Sequence, residues 1–121
     1  MNVTLEQLSD WVIANRKGRS FLNHSKQDVA YTLWEHARDN GMLFATNDLE
    51  QKIVGVVCFH QIQDEKTLFI DDVLTVDKDT TKLFIKRFKE RFPDYALEGT
   101  RRNGFLKHYN TPRLTHLIER L

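Results

Sequence analysis

At 121 residues, with 40% hydrophobic and 29% charged residues, the chain has the composition of one packed domain and is too short for two, so any site lies within that domain or between copies of it. A formal net charge of +1 gives no overall pull toward nucleic acid or an anionic membrane, and the opening MNVTLEQLSDW has neither the basic nor the apolar region of a leader. No stretch approaches the ~18 apolar residues of a membrane span, and the single cysteine, Cys58, excludes an internal disulfide, so a cytoplasmic domain with no membrane partner is expected.

Thr4 followed by Gln7 is a capping box, and Leu5, Leu8 and Val12 recur at helical spacing with Trp11 beside them, which predicts an amphipathic helix over residues 5–16 that stops at Lys17-Gly18. Ser25 and Asp28 repeat the capping pattern, Val29, Ala30, Leu33, Trp34 and Ala37 mark one face of a second helix, and Asn40-Gly41 is its stop signal. From Met42 the period becomes that of strands. MLFATN, a polar turn at DLEQ and KIVGVVCFHQI read as an antiparallel hairpin whose second, valine-rich member is apolar on both faces and therefore central. TLFIDDVLTV (67–76) follows after QDEK as the next antiparallel neighbour, with Asp71 and Asp72 in the middle of an otherwise buried run.

Thr80 or Thr81 is the expected cap of a third helix that carries Leu83, Phe84, Phe88 and Phe92, turns Lys82, Lys86, Arg87, Lys89 and Arg91 mostly outward, and ends at Pro93. A short strand is expected near YALEG and one or two helical turns in NGFLKHYN. After Pro112, RLTHLIERL suits either strand or helix by pattern, with strand preferred. The predicted order is α-α-β-β-β-α-β-α-β in one domain, residues 1–121, with no repeat or linker.

KIVGVVCF, FIDDVLTV and FLKHYN, in that order and with a helix before the last, resemble the GNAT superfamily of N-acetyltransferases over nearly the whole chain. KIVGVVCF is similar to the family's third strand, FIDDVLTV to its fourth, and FLKHYN to the helix that supplies an aromatic pair. The resemblance implies an α/β fold with a mixed, mostly antiparallel sheet and helices on both faces. It also implies a bulged fourth strand that splays from the fifth and leaves a wedge for acyl-CoA. A bulge re-aims neighbouring side chains, so at least one of Asp71 and Asp72 would face a wet cleft and take a proton from an acceptor amine. The ordinary alternative is one aspartate in solvent and the other paired with an Arg or Lys.

On the same resemblance, Tyr109 would protonate the departing thiolate, against the commoner fate of a half-buried tyrosine whose hydroxyl reaches water. Backbone N–H groups around Leu74 and Val76 would polarise the thioester carbonyl, and Lys78, Thr80, Thr81 and Lys82 would supply donors to the cofactor, acetyl-CoA. The sequence departs from the family at the pyrophosphate loop, Q/R-x-x-G-x-G/A. The corresponding VDKDTTKLF has no glycine and sets Asp77 and Asp79 where phosphates would lie. Acids at a helix start are explained by the helix dipole alone, and they repel a pyrophosphate. The family's first strand is also missing. This trimmed form resembles small acyltransferase-like proteins of tailed bacteriophages, some grouped with virion-assembly genes, which implies a host cytoplasm or a virion as its location.

Cys58 and His60 share one strand face about 7 Å apart at Cα. Cys58 sits in the most apolar run, so it reads as a buried thiol and not as a nucleophile. His24, His36, His60, His108 and His116 show no metal-ligand spacing, and no metal is expected. Arg101, Arg102, Lys107, His108 and Arg113, with Phe105 and Tyr109 interleaved, form the densest basic cluster, suited to a phosphate, a nucleic acid or an acidic protein surface, or simply to a solvated face. Three functions follow as expectations: acyl transfer to a small-molecule or protein amine, a catalytically inactive GNAT-like domain with a protein partner, and a nucleic-acid-binding domain.

Overall fold

The computed structural model describes residues 2–17, 20–100 and 106–109. Helix α1 (Leu5–Asn15) opens with the expected box, Gln7 N–H donating to Thr4 Oγ1 and Thr4 N–H to Gln7 Oε1. Helix α2 (Lys26–Arg38) opens with the same device at Ser25 and Asp28. It closes where Asn40 takes a left-handed φ of 58°, with Asn40 N–H on Ala37 O and Gly41 N–H on His36 O, the paired bonds that satisfy a helix C-terminus.

Strands β1 (Met42–Asn47) and β2 (Lys52–Ile62) form the hairpin, and a 3-10 turn over Gln63–Glu65 leads into β3 (Thr67–Thr75). Helix α3 (Lys78–Arg91) then crosses to β4 (Ala96–Thr100), and β5 (Leu106–Tyr109) follows. The sheet runs β1-β2-β3-β4-β5, antiparallel throughout except for the parallel β3–β4 pair that the α3 crossover creates. The class is α/β with a mixed, mostly antiparallel sheet.

Alternation along β2 builds the two cores. Val56 and Cys58 join Leu8, Val12, Phe21, Val29 and Leu33 beneath α1 and α2, whereas Val57 and Phe59 join Phe84 and Phe88 of α3 on the opposite face. Phe59 meets Phe88 edge-on, with ring centroids 4.8 Å apart. The helices therefore lie on both faces.

Two local expectations are corrected. The cap of α3 is Asp77, not Thr80 or Thr81, and the helix starts at Lys78, because the Asp77 carboxylate reaches both the N–H and the hydroxyl of Thr80 at 2.8 Å. The helical turns expected in NGFLKHYN are replaced, over Leu106–Tyr109, by a strand that pairs antiparallel with β4, from Thr100↔Leu106 to Leu97↔Tyr109. The free edge of β4 needs partners for its backbone groups, and an adjacent strand supplies them where an isolated helical turn would not. The order over the described residues is thus α-α-β-β-β-α-β-β. The strand expected at 113–121 lies outside them.

Candidate functional site

The pairing of β3 changes on both of its sides at one residue. Against β2, Ile70 lies opposite Phe59 and Asp72 opposite Cys58, so Asp71 is the extra, unmatched residue of a bulge. Against β4, the parallel ladder among the described residues runs from Thr67↔Ala96 to Ile70↔Gly99, while β3 continues to Thr75. Beyond Ile70, β3 keeps β2 on one side and, among the described residues, has no β4 partner on the other.

The bulge decides where the side chains go. Ile70 packs in the α3 core and Leu74 in the α1/α2 core, two positions that an unbroken strand of this period would hold on one face. Asp71 and Asp72 both turn to the α1/α2 face, as their partners show.

Asp72 is taken by the fold. Its Oδ1 accepts the Phe21 N–H at 2.9 Å, and the Ser20 hydroxyl donates to the neighbouring Val73 carbonyl. Phe21 is fully buried with a left-handed φ of 56°, an uncommon state for a bulky side chain that these bonds help to hold. Burial raises the Asp72 pKa above the ordinary carboxylate value, and the Phe21 N–H offsets this only in part.

Asp71 is held by two histidines. His36 Nε2 lies 3.0 Å and His60 Nδ1 2.8 Å from the same oxygen, Oδ2. The second ring nitrogen of His36, Nδ1, is 2.8 Å from the Thr32 carbonyl. Burial pushes the Asp71 carboxyl upward, but the hydrogen bonds and charges of the two imidazoles outweigh it and hold the group below its ordinary value. The Asp71 hydrogen bond, opposed by burial and aided by Thr32, raises His36.

The cluster borders a cavity of about 600 Å³ lined by His36, Asn40, Gly41, His60, Gln61 and Asp71 among others. Backbone bonds set its walls: Gly41 N–H donates to His36 O at 2.7 Å, and Phe59 N–H to Gly41 O at 2.8 Å. On the opposite face of the sheet a small apolar hollow of about 50 Å³ lies between α3 and the seam, touching Ile70, Val73, Phe84 and Leu97.

The other expected site residues fall elsewhere. Val76 N–H donates to Val54 O at 3.0 Å, so it points at β2 and away from the seam. Leu74 is buried opposite Val56 and, two residues from Val76, directs its N–H the same way. Alternation gives the seam-facing backbone to Val73 and Thr75 instead, in agreement with Val73 O meeting Ser20. Thr80 is buried on Asp77, the Thr81 hydroxyl lies 2.7 Å from that of Thr75 and 3.3 Å from Asp77 O, and Lys78 is exposed in the first turn while Lys82 is half-buried. Asp77 thus fills the N-terminus of α3, and the Thr80 N–H and hydroxyl lower its pKa. Lys107 and Tyr109 lie on β5, in register with Gly99 and Leu97, whereas Arg101, Arg102 and Arg113 lie outside the described residues.

Sequence reasoning brought Asp71 forward but missed its partners, because residues 36, 60 and 71 share no local spacing. The one available signal was strand alternation at His60, which had been weighed only with Cys58. That thiol is buried, and desolvation raises its pKa far above the ordinary range, so it is no nucleophile. Among the described residues no group of three or more His, Cys, Asp or Glu side chains is placed to hold a metal ion, and no helix is long and apolar enough to cross a membrane. No protein-family model, curated protein or solved structure matches the chain.

Proposed function

We propose that this chain is a GNAT-like acyltransferase domain that moves an acyl group from a thioester to an amine. The observation that carries the reading is the coincidence at Asp71 of a bulge against β2 with the last described pair of the parallel ladder to β4, after which, among the described residues, the Val73 and Thr75 N–H groups face the seam without a β4 partner. Amides on such an edge are suited to polarising a thioester carbonyl, and the apolar hollow of about 50 Å³ beside α3 is suited to a short acyl group. Tyr109 remains the proposed donor to the leaving thiolate. The donor must be held without the helix end that a pyrophosphate would use, since Asp77 already occupies it.

That same cap favours a second reading, an inactive domain of this fold that binds a protein partner, as a virion-assembly protein would. Calorimetry with acetyl-CoA, desulfo-CoA and S-acetylpantetheine separates the two. Acyl transfer predicts binding of a thioester, and S-acetylpantetheine loses little relative to acetyl-CoA because Asp77 already fills the helix end that would hold the pyrophosphate. Tyr109→Phe is then expected to keep binding and lose turnover. No heat from any of these ligands at millimolar concentration would remove the acyl-transfer reading and leave the binding domain.

A further inference from the structure

Asp71 alone does not account for the arrangement around the large cavity. The Thr32 carbonyl can only accept, so His36 Nδ1 carries a hydrogen, and the contact of Nε2 with Asp71 Oδ2 requires a second one. His36 is held as a doubly protonated ring that balances the Asp71 charge. His60 meets the same carboxylate oxygen through Nδ1, so the hydrogen of its neutral ring sits on Nδ1 and the lone pair on Nε2. Among the described residues Nε2 has no hydrogen-bond partner, and the side chain is 53% exposed at the cavity wall. Among the described residues the rest of that wall offers acids and neutral amides, Glu35, Asp39, Asn40, Gln61 and Gln63, and no lysine or arginine, with Arg38 pairing to Asp39 from outside it. Such a lining favours a cation over an anion.

We infer that His60 is the proton acceptor of this cavity, that Asp71 and His36 are the positioning residues fixing its ring and tautomer, and that the group it deprotonates is the ammonium of an amine acceptor. The inference rests on the acyl-transfer reading and deepens it. One ammonium proton passes to His60 Nε2, and the neutral amine attacks the thioester carbonyl carbon. The C–N bond forms, the C–S bond breaks, the Tyr109 hydroxyl protonates the departing thiolate and regains a proton from the new amide nitrogen, and His60 returns its own to water.

The first test needs no acyl donor: ¹⁵N spectra of the imidazoles during titration with 1,4-diaminobutane. The expected result is an Nδ1–H tautomer for neutral His60 and a saturable shift at Nε2, with affinity reduced about tenfold in Asp71→Asn. An Nε2–H tautomer, or no amine-dependent shift at Nε2, overturns the assignment. In turnover with S-acetylpantetheine, His60→Gln should lower kcat/KM by about 10²-fold or more while the protein remains folded at the assay temperature. His36→Gln should lower kcat more than it raises KM, as expected for a group that acts through the ring it orients. Unchanged turnover in His60→Gln sinks the role of His60 and spares the acyl-transfer reading. Amine binding at Nε2 with no thioester bound or turned over sinks that reading, and with it the base role in acyl transfer, while identifying His60 as an amine contact only.

Discussion

Where β3 meets the loop at residues 20–23, the Asp72 carboxylate is shut in against the Phe21 N–H; one residue earlier, where β3 meets the last turns of α2, Asp71 is shared by two imidazoles at the edge of open space. Both carboxylates face the same layer of helices, and one inserted residue put them there. Burial wins at Asp72 and raises its pKa, whereas at Asp71 burial is outweighed by the two histidines and the pKa falls. The difference teaches that a single bulge can supply an anchor and a reactive group together. The anchor fixes the backbone, so its neighbour is free to be chosen for chemistry.

The closed side of this comparison breaks most readily. Phe21→Ala should cost about 3–5 kcal/mol in urea unfolding, since it empties a fully buried ring site and removes what the Asp72 bond positions. On the open side, a Cβ at Gly41 would lie 2.1 Å from the Phe59 carbonyl oxygen, and a backbone atom cannot swing aside. Gly41→Ala should therefore cost about 3 kcal/mol and disturb the His36–His60 pair, read as a lost Nδ1–H signature at His60. Asp72→Ala should cost about 2 kcal/mol by stranding the Phe21 N–H, and should leave amine binding intact.

The smallest effect is a pH dependence whose sign separates the two carboxylates. Asp72, with a raised folded pKa, works against stability once pH climbs through that value. Asp71, with a lowered one, adds stability that is lost as pH falls through it. His36, also raised, adds stability that is complete below 6.5 and lost as pH rises through its folded value. Wild type should thus out-melt His36→Gln by a margin of about 1 kcal/mol or less that narrows above 6.5. A margin that widens with pH would contradict the charged state assigned to His36.

Much of the scaffold was legible because its signals are local. Thr4 with Gln7, Ser25 with Asp28 and Asn40-Gly41 each act within a few residues, and all three perform as their chemistry predicts. The α3 cap was misjudged by three or four residues because Asp77, Thr80 and Thr81 all bear capping oxygens, and only the geometry shows the carboxylate reaching the Thr80 N–H. Leu106–Tyr109 was misread because what decides it is the open edge of β4, which is not local. Asp71 and Asp72 stood out as charges in an apolar run, but their fates depended on a register shift and on side chains from another element. No spacing rule reaches from residue 36 to residue 71.

Gly41 accepts from Phe59 and donates to His36, so a two-bond bridge of main chain joins His36 itself to the residue preceding His60. The gap between those rings is gauged by peptide groups, which do not change with the amino acid attached. Surface substitutions around the cavity could therefore retune its charge or width for a different guest while the rings keep their separation. The one position that lacks this freedom is the glycine in the bridge, where a single methyl group would act as a spacer.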